Sequence, residues 1–385
     1  MRRTLLGTIA VLTMVALTGC APGAAAPSPS ATQAPQTQTA TPTPTPTPVD
    51  PAVALVEKMT VQQQAASVVM GALPGTDSAA LREYMSSGLG GFILMGDNIP
   101  VDSAQLKQIT TALTVDPALP PLIATDEEGG VVKRLPWDHE AGANTLKSAP
   151  VAATTQAFAN RAKLLAEAGV TVNFGIVADV PRDGSSFIYS RAYGTTPDAA
   201  SQRVTAAVDA EHGTVMSTLK HFPGHGAGPG DSHHVIPKAT ETLEQWQSFD
   251  AKPFEAGIDA GAELLMFGHL AYTAVDAAPA SLSAKWHQIA RDDLGFDGVM
   301  ITDDLGMLPS SGDPAYRNLV QDSVLALAAG NDMVLLIAGT NAQTAGQAVA
   351  GIVTAVQDGR LPASRLKDAA EHVAALRLQI AAREH

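Results

Sequence analysis

The sequence predicts an α/β fold, a single (β/α)8 barrel of the TIM type, on three observations. About eight short apolar runs recur along the chain, continuous rather than alternating in polarity, as strands buried on both faces should be. Ala-rich or amphipathic stretches of helical period separate them, and alternating βα units imply a parallel sheet. Polar residues stand at the C-terminal end of nearly every run, and in a closed parallel barrel those ends share one rim. A doubly wound open sheet is the alternative, but no Gly-x-Gly-x-x-Gly turn supports it.

The chain opens with Met1-Arg2-Arg3 and an apolar run, Thr4 to Thr18, which reads as a secretory signal peptide over residues 1–19. The run ends in "LTGC", Leu17 to Cys20, which resembles a bacterial lipobox. Cys20 is the only cysteine of the protein and is the expected lipidation site. Residues 20–50 have no periodicity, no aromatic and almost no charge, and their Thr-Pro repeats favour an extended tether. These features predict an extracytoplasmic protein, lipid-anchored to the cell membrane. The folded domain is expected over residues 51–385. With one cysteine it has no intradomain disulfide, thiolate metal site or thiol nucleophile. A formal charge of −14 argues against nucleic acid as a partner.

In order, the strand candidates are Ala65–Gly71, Gly90–Gly96, Pro121–Asp126, Thr171–Val180, Val215–Phe222, Ala262–His269, Gly298–Asp304 and Asp332–Ala338. Helical patterns cover Asp198–His212, Leu243–Gly257, Pro314–Ala329 and Thr340–Gln357. The polar residues at the run ends are Asp97 and Asn98, Asp126, Asp179, Lys220 and His221, His269, and Asp303 and Asp304. A lone strand-end Asp is most often a helix cap. So many runs ending this way imply the polar, acidic pocket of an enzyme.

Three constellations stand out. In "ITDD", adjacent strand residues point to opposite faces, so at most one of Asp303 and Asp304 faces the mouth and the other is structural. In "ATDEEGG", Asp126 closes a strand, two glycines permit close backbone approach, and Glu127 and Glu128 are assigned to solvent. The segment Leu219 to Pro237 holds four of the ten histidines. His221 and His225 have the spacing of a helical zinc pair, with His233 or His234 as a third ligand. Pro223 and Gly224 forbid that helix, and the metal reading is set aside. Asp231 and His233 instead suit a pair in which the carboxylate takes the Nδ1 hydrogen and leaves Nε2 to handle protons. Glycines around them give the loop mobility. Lys220 and His221, at the strand end, point into the pocket as substrate donors. His225 is read as structural and His234 is unassigned.

Together these residues resemble the β-N-acetylglucosaminidase (NagZ-type) branch of glycoside hydrolase family 3. The signature Lys-His-Phe-Pro-Gly-His-Gly, four residues, then Asp-Ser-His runs unbroken from Lys220 to His233. "GGFILMGDNI", "DEEGGVVKR", "NFGIVADV", "SRAYG", "LLMFGH" and "DGVMITDDLGM" match in order, so the resemblance covers nearly all of the domain. Val131 departs from it, at a position where relatives often carry Arg.

The resemblance implies Asp303 as nucleophile, the His233–Asp231 pair as acid/base dyad, and Asp126, Arg191, Lys220 and His221 as ligands of a terminal N-acetylglucosamine. It implies an exo-acting, retaining β-N-acetylhexosaminidase, a monomer without metal or cofactor. Its substrate would be an N-acetylglucosamine-containing oligosaccharide or muropeptide from peptidoglycan. Most retaining glycosidases pair two carboxylates. An imidazole, starting near pKa ~6.5, serves equally as acid and then base. The alternatives are a β-glucosidase- or β-xylosidase-like or phosphorolytic activity on this fold, and a non-catalytic sugar-binding lipoprotein. The dyad and Asp303 argue against the last.

Overall fold

A computed structural model describes residues 50–383. The expected signal peptide, the lipidation site Cys20 and the tether up to residue 49 lie outside the described residues. Eight parallel strands close into a barrel: β1 (Val69–Gly71), β2 (Gly91–Ile93), β3 (Leu122–Thr125), β4 (Val172–Val177), β5 (Met216–Phe222), β7 (Leu264–Phe267), β9 (Val299–Asp304) and β10 (Met333–Leu335). Each lies within one of the eight apolar runs. β10 pairs with β1 to complete the ring. Two further strands, β6 (Lys238–Ala239) and β8 (Ala271–Tyr272), pair with each other above it.

The interior is filled rather than hollow. Met70, Ile93, Leu122, Phe174, Met216, Met266, Ile301 and Leu335 interlock inside one cluster, as layered barrel cores do. Val373, Leu376 and Ile380 of the helix Ala363–Arg383 join the same cluster. Access to the barrel axis is therefore from the C-terminal mouth. Among the described residues no helix is long and apolar enough to cross a membrane.

Two helical patterns differ from expectation for local reasons. The stretch Leu243–Gly257 divides into Leu243–Ser248 and Ala251–Asp259, with Phe249 outside helical geometry between them. Pro253 could not donate within a continuous helix, and the break places it in a first turn, where no donor is needed. Pro314–Ala329 begins as a 3-10 turn, Pro314–Tyr316, and the α-helix starts at Leu319. Asn318 caps it by accepting from Val320 and Gln321. Thr340–Gln357 is shortened to Thr344–Gln357, because Thr344 Oγ1 accepts from the Asn341 N–H in a turn.

One packing feature places the site directly. Phe222, at the end of β5, lies edge-on to Trp246, Phe254, Phe267 and Trp286, at centroid distances of 4.9 to 5.8 Å. Trp246 Nε1 donates to the Pro223 carbonyl and the Tyr272 hydroxyl donates to that of Gly224. The aromatic cluster thus fixes the root of the loop that follows β5.

Candidate active site

At the barrel mouth lies a cavity of about 430 Å³, lined by Asp126, Arg134, Arg191, Lys220, His221, Ser232, His233, Asp303 and Asp304, with Ile93, Met95, Val132, Met266, Met307 and Ile337 as apolar neighbours. The structure brings Asp126, Arg191, Lys220, His221, His233 and Asp303, from strands and loops far apart in sequence, to this one space.

Its polar wall is an alternating chain of charges. Lys220 Nζ sits between Asp126 Oδ1 at 2.9 Å and Glu128 Oε1 at 2.8 Å. Arg191 grips Glu128 through two nitrogens, at 2.9 and 2.6 Å, and Arg134 donates to Asp126 at 3.0 Å. Burial alone would raise both carboxyls. Lys220 with Arg134 at Asp126, and Lys220 with Arg191 at Glu128, outweigh it and hold both below the usual carboxylate range. Lys220 is buried too, and its two acidic neighbours push its pKa up, keeping it charged.

Glu127 and Glu128 do not face solvent, as the sequence suggested; both are fully buried. Glu127 turns away from the cavity and accepts from the N–H groups of Arg134 and Leu135, which pins the turn carrying Arg134. Burial pushes its carboxyl up to about 8.

A second group of residues holds His221. The register of β5 against β7 shifts between Leu219 and Phe222, and such irregularities re-aim side chains. Lys220 and His221, though adjacent, both reach the cavity. Asp179, fully buried, accepts from His221 Nδ1 at 2.8 Å and from the N–H groups of His221 and His225. With Nδ1 engaged, His221 turns Nε2 to Arg191, 3.3 Å away, and to the cavity. His225, read from sequence as structural, is buried but borders the cavity, and burial lowers its pKa to about 4, so it is neutral. His234 is exposed.

Both β9 carboxylates border the cavity, although alternation was expected to leave one facing away, and they differ in their hydrogen bonds. Asp304 accepts from the N–H groups of Gly306, Ile337 and Ala338, which ties the β9 and β10 ends together. Asp303 is free of such ties apart from the Asp304 N–H. Burial would raise its carboxyl, but His221 foremost, with His269, the Asp304 N–H and Lys220, holds it below the usual range. His269, buried beneath, bonds Ser281 and the Asp304 carbonyl and supports the strand end. Asp303 is thus an ionised carboxylate facing an open space.

The fourth part is a dyad on the loop after β5. Asp231 Oδ1 lies 2.6 Å from His233 Nδ1 and accepts the His233 N–H at 3.0 Å. Slight burial works against Asp231, yet these contacts keep its carboxyl below the usual range. His233 is more than half exposed, 55% at the side chain, and lines the cavity. His221, His225 and His233 all border the cavity, and two of them are committed through Nδ1 to carboxylates. His221 is turned to Asp179 and His233 stands on Asp231.

A glycosyl hydrolase family 3 N-terminal domain profile matches residues 57–376. The chain belongs to glycosyl hydrolase family 3. An uncharacterized secreted glycosyl hydrolase of Arthroderma benhamiae is 33% identical over 350 residues, 86% of this chain and 96% of its own. A beta-hexosaminidase of Xanthomonas oryzae pv. oryzae is 36% identical over 250 residues, 61% of this chain and 74% of its own. The family 3 β-N-acetylglucosaminidase of Paenibacillus sp. str. FPU-7 superposes with a TM-score of 0.78 at 28% identity over 85% of this chain, which spans 64% of that longer protein.

This family 3 glycoside hydrolase carries cavity residues that sequence reasoning overlooked. Arg134 is the clearest: its partner Asp126 is eight residues away, but only the buried turn held by Glu127 brings them together. Asp179 was visible as a strand end, yet its grip on His221 needs β4 and β5 side by side. Asp97 and Asn98 are the reverse case. Asp97 is exposed, and Asn98 is buried to donate to the carbonyls of Leu73 and Gly75.

Proposed function

We propose that this protein is an exo-acting, retaining β-N-acetylhexosaminidase that removes terminal β-linked N-acetylglucosamine. One observation carries the reading: an ionised carboxylate, Asp303, and an imidazole held at Nδ1, His233, border the same cavity. Asp303 attacks the anomeric carbon while His233 Nε2 protonates the departing oxygen, giving a glycosyl-enzyme. The imidazole, then neutral, takes a proton from water, which releases the sugar with retained configuration. Asp231 holds Nδ1, so that Nε2 gives the proton in the first step and takes one back from water in the second.

Asp126, Arg191, Lys220 and His221 hold the terminal sugar. Carboxylates and cations in alternation offer both acceptors and donors to its hydroxyls. A filled barrel floor leaves room for a chain end and not for a polymer threaded through, which supports exo action. The hexosaminidases and the β-N-acetylglucosaminidase similar to this chain support the sugar assignment. The lipobox-like Cys20 and the Thr-Pro tether support an extracytoplasmic, lipid-anchored protein, and that location supports peptidoglycan fragments as its substrate.

The test sets a chromogenic N-acetyl-β-glucosaminide beside the matching β-glucoside. Turnover of the first and not the second is expected. Turnover of the glucoside alone overturns the sugar assignment, and turnover of neither overturns the enzyme reading.

A further inference from the structure

We propose that Phe187, on the loop after β4, is a positioning residue that docks the Asp231–His233 pair over the cavity; the proposal rests on His233 being the acid/base. Among the described residues Phe187 is one of the few large apolar side chains left at the surface, 37% exposed. Its ring packs 5.4 Å from that of His225 and, edge-on, 5.9 Å from that of His233. It therefore bridges a fixed histidine and an exposed one.

The root of the β5 loop is tied to the barrel end. The His225 N–H donates to Asp179 at 2.6 Å, and Gly226 lies so close to the Val180 carbonyl that a Cβ would stand 1.9 Å from its oxygen. Beyond it the chain runs through Gly228, Pro229 and Gly230, the last with φ +101°. At the tip, the N–H groups of His234 and Val235 donate to the Asp231 carbonyl, and Asp231 holds His233. These bonds set the shape of the tip but not its place over the barrel. Glycine-rich segments adopt many conformations, so a contact outside the loop must select the one that serves the cavity.

The far end of the loop is anchored where the Pro237 carbonyl accepts from the Ala271 N–H, and the ring of Phe187 supplies the contact at the dyad itself. Its own segment ends at Arg191, whose N–H donates to the Ile188 carbonyl and whose guanidinium grips Glu128. The seat for the dyad is thereby tied to the residues proposed to hold the sugar. An edge-on aromatic pair corresponds to a roughly three- to tenfold population bias.

The experiment measures kcat/KM for phenyl and 2,4-dinitrophenyl N-acetyl-β-glucosaminides. Phenol departs only with protonation, whereas dinitrophenolate departs without it. Phe187→Ala should lower the phenyl value roughly three- to tenfold and leave the dinitrophenyl value within about twofold. Phe187→Tyr should restore the phenyl value, and Phe187→Ala should have no further effect in a His233→Ala background. Equal losses on both substrates, no rescue by tyrosine, or an undiminished loss without His233 overturns the proposal. The His233→Ala variant alone separates the two levels. If it shows no dependence on leaving group, the acid/base reading falls and this proposal with it. If it does show the dependence while Phe187→Ala acts alike in both backgrounds, only the proposal falls.

Discussion

Asp303→Ala is expected to lower kcat/KM for an N-acetyl-β-glucosaminide by at least about 10⁴-fold, the order seen when a hydrolase loses its nucleophile. The side chain is short and accepts one hydrogen bond, from the adjacent Asp304 N–H, so little of the fold depends on it. The substitution also removes a charge that His221, His269 and Lys220 favour in the folded state, so the melting temperature should stay level or fall slightly. A loss below about tenfold would mean that another group attacks the sugar. Asp304→Ala makes a contrast. It removes the acceptor of three backbone N–H groups that join β9 to β10, so its loss should appear in stability.

Lys220→Met is expected to destabilise the protein at pH 7 by about 3 kcal/mol, a melting drop of roughly 4 °C. Methionine keeps the stem but leaves Asp126 and Glu128 facing each other, with only Arg134 and Arg191 to balance them. The pH dependence carries a definite sign. In the wild type both carboxyls are held below their unfolded values, so their stabilisation is present above about pH 4 and is lost as pH falls further. Without Lys220 the paired carboxylates repel at neutral pH and gain protons more readily. The deficit of the variant should therefore shrink as pH is lowered from 7 toward 4. Thermal melts across that range check it, and a deficit that is constant with pH would contradict the charge-balance account.

The strands were legible because a barrel strand is buried on both faces and reads as a continuous apolar run. Each was shorter than its run. In Thr171–Val180 the ladder ends at Val177, since Asp179 is drawn inward to hold His221. The two-residue strands β6 and β8 were not legible, because two residues carry no period. The dyad could be read because Asp231 and His233 are two residues apart and interact within one loop. Glu128 could not be read. Its partners Arg191 and Lys220 come from other βα units, and the string "DEEGG" contains no trace of them. Local contacts leave a mark on sequence, whereas contacts made by barrel closure do so only through resemblance.

In the proposed mechanism Asp303 forms the bond to the sugar. A 5-fluoro N-acetylglucosaminyl fluoride slows both steps by destabilising the cationic transition state, while its good leaving group keeps the first step faster than the second. Mass measurement of the treated protein, followed by peptide mapping, should find one sugar attached, on the peptide at Asp303. Consumption of the reagent with no adduct, or an adduct on any other residue, would contradict the claim.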